Sequence, residues 1–239
     1  MPSQTLTIAT TDGPMDLFEA RPDGDAPTTA IVLVQEAFGV NSHIEDVGER
    51  LAALGHLVVA PHFFHRAGGG TVPYGQFDKV MEKYAGLDDA GILVDVDAAL
   101  GHLAAVGIDA AHTGLVGFCF GGRVSFLVAA ERAIGASIGF YGGGIVTARF
   151  PQFPALVDRV PTLKTPWLGL FGDDDGSIPV DQVEHLRAAL VDAPVEAEVV
   201  RYAGAGHGFF RDVGDDYRPD AAADAWSRLQ GWYARYLAS

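Results

Sequence analysis

Apolar and polar positions follow two rhythms along this chain, one of strands and one of helices. TLTIAT (5–10) and MDLFEA (15–20) flank Asp12-Gly13, a pattern that predicts an N-terminal hairpin. TAIVLVQE, from Thr29 to Glu36, is a nearly unbroken apolar run, as expected of a parallel strand buried on both faces. Between His43 and Leu54 the spacing of Ile44, Val47, Leu51 and Leu54 predicts a helix. HLVVA then reads as a short strand closed by Pro61, and the glycine-rich stretch from Arg66 to Tyr74 as a surface loop. A long helix is predicted over Leu87–Val106, a strand through GLVGF, and a helix after Cys119. ASIGFY, PWLGLF and VEAEVVRY predict three more strands, with helices from about Val180 to Leu190 and from Asp220 to Leu237. Alternating strands and helices imply an α/β fold, one domain over residues 1–239, with a mostly parallel sheet covered on both faces.

Composition narrows the partners. With 49% hydrophobic and 20% charged residues the chain is globular, not disordered. A net charge of -15 argues against nucleic acid or an anionic membrane surface. No apolar run approaches the roughly 18 residues of a membrane span. The N-terminal stretch lacks a basic region followed by an apolar one, and a single cysteine rules out an internal disulfide framework. Both features predict a cytoplasmic protein.

Four chemically rich stretches fall at carboxyl ends of predicted strands, where open α/β sheets place their sites. They are Gln35-Glu36-Ala37, Gly117-Phe118-Cys119, Gly172 to Asp175, and Gly204 to His207. Gly117-Phe-Cys119-Phe-Gly121, between a strand and a helix, has the form of a nucleophile elbow, in which a Cβ at either glycine would strike neighbouring backbone. A helix starting after Cys119 favours a thiolate and an oxyanion. Taken alone, the cysteine reads better as a small buried hydrophobe than as a nucleophile; the strand–turn–helix frame reverses that preference. Of eight histidines, His207 alone follows a strand in a flexible glycine loop and is the candidate base. The acid is expected from Asp173-Asp-Asp175, a choice the residues alone leave open; the register of the family resemblance given below selects Asp175, with Asp173 as runner-up. The order Cys119, Asp175, His207 is nucleophile, acid, base.

Competing chemistries fit less well. An EF-hand loop fails on register, because a start at Asp173 puts Ile178 where glycine is needed. His62 and His65 lack a nearby third ligand, so no metal is expected. Gly68-Gly-Gly70 and Gly142-Gly-Gly144 lack the lysine of a phosphate loop, and Phe209 breaks a dinucleotide fingerprint.

Together the motifs QEAFGVN (35–41), GFCFGG (117–122), Gly172 through Asp175 to Pro179, and AGHGF (205–209) resemble the dienelactone hydrolase family, a cysteine-based branch of the α/β-hydrolases. The resemblance runs from about Ile31 to the C-terminus. It implies an α/β-hydrolase fold and hydrolysis of a small ester or enol lactone, with an anionic group on the substrate as one option and no cofactor. It implies that Glu36 contacts and helps activate the nucleophile, and that the N–H groups of Ala37 and Phe120 form an oxyanion hole. Arg211 matches a position that grips a substrate carboxylate, and Phe38 and Tyr141 line the pocket. The second arginine of the family's pattern is missing before the long helix; Lys79 or Lys83 is the available substitute, as a point charge instead of a fork. The remaining alternatives are a same-fold esterase or thioesterase, a ligand-binding member without catalysis, and a redox sensor acting through Cys119 with an external thiol. A monomer or small homo-oligomer is expected.

Overall fold

The structure is a computed structural model and describes residues 2–237. Eight strands form one mostly parallel sheet: β1 (Ser3–Thr10), β2 (Gly13–Ala20), β3 (Ala30–Val34), β4 (Leu57–Pro61), β5 (Thr113–Phe118), β6 (Ala136–Phe140), β7 (Trp167–Gly172) and β8 (Ala197–Tyr202). Their spatial order is β1-β2-β4-β3-β5-β6-β7-β8. The chain packs as two compact units, Met1–Leu115 and Val116–Ser239, whose boundary falls inside β5.

In the first unit the hairpin β1–β2 pairs antiparallel from Ser3↔Ala20 to Thr10↔Gly13, and Gly13 takes the φ of +123° that the turn requires. β3 and β4 are parallel, and all five residues of each are buried. Because side chains alternate across a strand, complete burial means that both faces are covered. Helix α1 (Ser42–Ala52) starts at Asn41, whose side chain accepts from the Ile44 N–H, and it buries Ile44, Val47 and Leu51. Helix α3 (Asp89–Ala105) is capped the same way by Asp88 on Gly91. A shorter helix, α2 (Phe77–Tyr84), precedes it and was not anticipated from the pattern.

Two boundaries move. β3 ends at Val34, not Glu36, because the chain bends into a turn bridging Glu36 and Gly39, with Gly39 at φ +89°. The loop expected from Arg66 starts at Gly68, since Phe63–Ala67 forms a 3-10 turn. Inside it Val72 is buried, donating its N–H to the Phe38 carbonyl at 2.9 Å.

In the second unit β6, β7 and β8 run parallel, and β6 and β7 are wholly buried. Helix α4 (Phe120–Glu131) packs on β6 and β7. Its approach is close: a Cβ on Gly122 would stand 2.4 Å from the Phe140 carbonyl oxygen. Ser125 fixes the seat, donating to the Gly122 carbonyl at 2.7 Å and accepting from the Trp167 indole at 3.0 Å. Helices α5 (Val180–Ala189) and α6 (Pro219–Tyr236) follow β7 and β8. No helix among the described residues is long and apolar enough to cross a membrane.

Candidate active site

Cys119 sits where β5 hands over to α4, at φ 56° and ψ -111°. Only it and Tyr141 hold a positive φ among the non-glycine described residues. Such a backbone costs on the order of 1–3 kcal/mol and persists only where the surroundings impose it. Here they do. The Cys119 N–H donates to the Phe140 carbonyl at 3.0 Å, its carbonyl accepts from Gly122 at 3.0 Å, and a Cβ on Gly117 would lie 2.0 Å from the Gly121 carbonyl oxygen. The turn therefore exists only with glycine at 117, and it leaves Cys119 half-buried instead of sealed in the core. Phe120, the residue after Cys119, opens α4, which puts its N–H at the positive end of the helix dipole.

Cys119 acts on His207 from one side, favouring the charged imidazole. On the other, the His207 Nδ1 lies 2.7 Å from Asp175 Oδ2. The second Asp175 oxygen, Oδ1, accepts from the Ser177 N–H at 2.8 Å, the Ser177 hydroxyl at 2.7 Å and the Ile178 N–H at 3.1 Å. Burial opposes the charge on Asp175, yet these donors and His207 hold its carboxyl below the usual range. Burial likewise pushes His207 down, but the Cys119 charge and the hydrogen bond to Asp175 outweigh it, and the imidazole is pushed up to about 10. The ring keeps 32% of its surface open to water, enough for a water molecule to reach it. Tyr141, fully buried, places its ring 5.1 Å from that of His207.

The neighbouring aspartates point elsewhere. Asp173 pairs with Arg201 at 2.7 Å, and Arg201 also holds Glu184. Asp174 is exposed. Arg211 folds over its own turn, its N–H on the Gly208 carbonyl and its guanidinium 3.1 Å from where a Cβ of Gly214 would stand.

In the first unit Glu36 is buried, and its Oε2 accepts from the Tyr74 hydroxyl at 2.9 Å. Ala37 and Phe38 follow in the same buried turn. Gln35 braces that turn, accepting from the Phe63 N–H at 3.2 Å. Lys79 is exposed on α2. Lys83 is committed to the loop, donating to the carbonyls of Ala67 at 2.8 Å and Gly69 at 2.6 Å. A cation so used is a loop clamp. His65 bonds Asp95 at 3.0 Å, and the Arg66 fork joins that same buried carboxylate to Asp12. No group of three or more metal-ligating side chains occurs among the described residues.

Three residues near these groups escaped the sequence reading. Ser177 was legible as the end of Asp-x-Ser, a turn in which a side chain caps backbone two residues on. Tyr74 gave no signal of its contact with Glu36. Arg149, which donates to the Ser177 carbonyl and covers Gly143, gave none either.

The chain matches the dienelactone hydrolase family over residues 15–237. It is 37% identical over 235 residues to the "Putative carboxymethylenebutenolidase" of Methylorubrum extorquens, covering 97% of this chain and 80% of that protein. It is 32% identical over 212 residues to the carboxymethylenebutenolidase of Rhodococcus opacus, covering 87% and 81%. A crystal structure titled "Putative Dienelactone Hydrolase" from Klebsiella pneumoniae superimposes with a TM-score of 0.90 at 35% identity, over 98% of this chain and 99% of that one. With an eight-stranded, mostly parallel sheet and neighbours of this kind, the fold is that of the α/β-hydrolases, and the chain belongs to the dienelactone hydrolase family of carboxymethylenebutenolidase-like hydrolases.

Proposed function

We propose that this hydrolase cleaves a small ester or enol lactone through a covalent intermediate on Cys119. The observation that carries the reading is His207 bonded to Asp175 at 2.7 Å, with Cys119, held in the strained elbow, near enough to favour the charged imidazole. Each member has one task. Asp175, its second oxygen occupied by Ser177 and Ile178, orients the imidazole and favours its charged form. His207 takes the thiol proton. The sulfur attacks the substrate carbonyl, a C–S bond forms, and the carbonyl oxygen gains negative charge.

That oxyanion falls to the Phe120 N–H at the start of α4, where the helix field favours it. By the family motif the Ala37 N–H shares the role, and Glu36 assists in activating the thiol. Collapse of the intermediate breaks the ester C–O bond. His207 returns its proton to the leaving oxygen, which in a lactone remains tethered to the acyl group. A water then gives a proton to His207, attacks the thioester and frees Cys119. Arg211, with a fork suited to bidentate carboxylate binding, is the candidate for an anionic group on the substrate. The family match over residues 15–237 supports one α/β-hydrolase domain as the working unit.

The test is a dienelactone and a simple aryl ester assayed in parallel with the wild type and Cys119→Ser. Turnover of either that collapses in the variant supports the nucleophile. Aryl ester turnover without lactone turnover keeps the mechanism and changes the substrate. Full activity of Cys119→Ala, which has no nucleophile at this position, contradicts the mechanism.

A further inference from the structure

Arg149 has no part in the mechanism above, yet it touches the loop that carries the acid. It is exposed on the segment between β6 and the 3-10 turn Val157–Thr162, and its Nη2 donates to the Ser177 carbonyl. That carbonyl shares a peptide group with the Ile178 N–H, which donates to Asp175 Oδ1 at 3.1 Å. The peptide is trans, so its C=O and N–H point in opposite directions within one plane. A grip on the oxygen therefore fixes the aim of the hydrogen. The guanidinium also polarises the group, because linked hydrogen bonds strengthen one another. The Ser177 N–H and hydroxyl hold the same Asp175 oxygen at 2.8 Å and 2.7 Å. Arg149 thus holds the peptide that joins the two residues donating to Asp175 Oδ1.

The arm that carries Arg149 is fastened at its base. The Ile145 carbonyl accepts from the Leu156 N–H at 2.7 Å and the Val157 N–H at 2.9 Å, closing the segment into a loop. Phe153 packs its ring 5.3 Å from that of Phe120, the residue after Cys119. Arg123, on α4, donates to the Pro154 carbonyl at 2.7 Å. The arm is therefore tied to the helix that starts at the nucleophile.

Gly143 leaves room for the guanidinium. A Cβ there would overlap its central carbon and both terminal nitrogens. Gly143 does not hold the positive φ that would by itself call for glycine. The space taken by Arg149, not the backbone, explains the missing side chain at 143.

We propose that Arg149 is a positioning residue for the hydrolysis: through the Ser177–Ile178 peptide it fixes Asp175, and through Asp175 the imidazole of His207. This rests on the Cys119–His207–Asp175 reading above. An exposed arginine contributes little to folding. A misplacement of about 1 Å at a reacting group, by contrast, can cost about a hundredfold in rate.

The experiment measures kcat and KM for 4-nitrophenyl acetate with wild type, Arg149→Ala, Gly143→Ala and Cys119→Ala, and repeats Arg149→Ala in an Asp175→Asn background. Arg149 is exposed, so its truncation leaves the fold intact. Arg149→Ala is expected to lower kcat and kcat/KM together by about tenfold, with KM changed less than about threefold, the signature of an interaction made in the transition state. Gly143→Ala displaces the guanidinium while leaving Arg149 in the sequence, and is expected to match that loss. In the Asp175→Asn background the truncation of Arg149 is expected to cost less than about twofold, because the two residues act in series. A tenfold loss in that background would make Arg149 independent of the acid and overturn the inference. Unchanged kinetics in Arg149→Ala, or a raised KM with kcat unchanged, overturns it as well and leaves the cysteine mechanism standing. Turnover that persists in Cys119→Ala, or no turnover by wild type, overturns the mechanism and the inference with it.

Discussion

His207 Nδ1 and Asp175 Oδ2 lie 2.7 Å apart, and Asp175 has no freedom to turn away, because its other oxygen is held by two backbone N–H groups and the Ser177 hydroxyl. Asp173, two residues earlier, is bound to Arg201. Asp175→Asn is therefore expected to lower kcat by about 10³–10⁴-fold through the wrong imidazole tautomer. Asp173→Asn is expected to leave kcat within about threefold. Steady-state kinetics of the two variants on one ester measure both.

His207 carries a pH prediction. Its pKa of about 10 in the folded protein lies above the ordinary value of 6.5, so the stability it contributes is complete below about pH 6.5 and is lost as pH rises toward 10. Cys119→Ala removes one source of that shift and is expected to move the imidazole titration, followed by NMR, to lower pH. The stability of the variant, measured by urea unfolding, then falls off at lower pH than that of the wild type. Asp175, shifted the other way, contributes stability that is lost as pH falls through the acid range.

Two glycine substitutions should separate packing from propensity. At Gly117 a Cβ would lie 2.0 Å from a backbone oxygen, so Gly117→Ala is expected to cost about 3 kcal/mol or more and to abolish activity. At Gly101, inside α3, a Cβ meets nothing within 4 Å. Gly101→Ala should stabilise by about 0.5–1 kcal/mol. Urea unfolding of each variant checks the opposite signs.

Tyr74→Phe keeps the ring against Phe38 and removes the donor to Glu36. If Glu36 assists the nucleophile, kcat/KM should fall about tenfold while the protein stays folded with a melting temperature lower by several degrees, since a hydrogen bond to a charged group is worth about 1.5–3 kcal/mol when fully formed. Calorimetry beside the kinetics distinguishes this from a loss of folding.

The strands were legible because burial on both faces leaves an apolar run that little else explains, as in AIVLV and WLGLF. Cys119 was legible because its turn excludes side chains at Gly117, which stamps a glycine frame on the sequence. Choosing Asp175 over Asp173 needed more than pattern, since three adjacent aspartates differ only in where the chain points them. Arg201, distant in sequence, withdraws Asp173 from the comparison. Helix α2 was illegible for a different reason: with Phe77 and Met81 exposed, its apolar residues do not mark a single buried stripe. The roles of Tyr74 and Lys83 depend on contacts across 38 residues and on loop carbonyls, neither of which leaves a local signature.

The most direct test of the account is mass spectrometry of protein quenched during turnover of 4-nitrophenyl acetate, followed by peptide mapping. An acetyl group on the peptide containing Cys119, appearing with the first release of nitrophenol and absent in Cys119→Ser, is the predicted result. Acetylation at another residue with turnover intact in Cys119→Ser would contradict it.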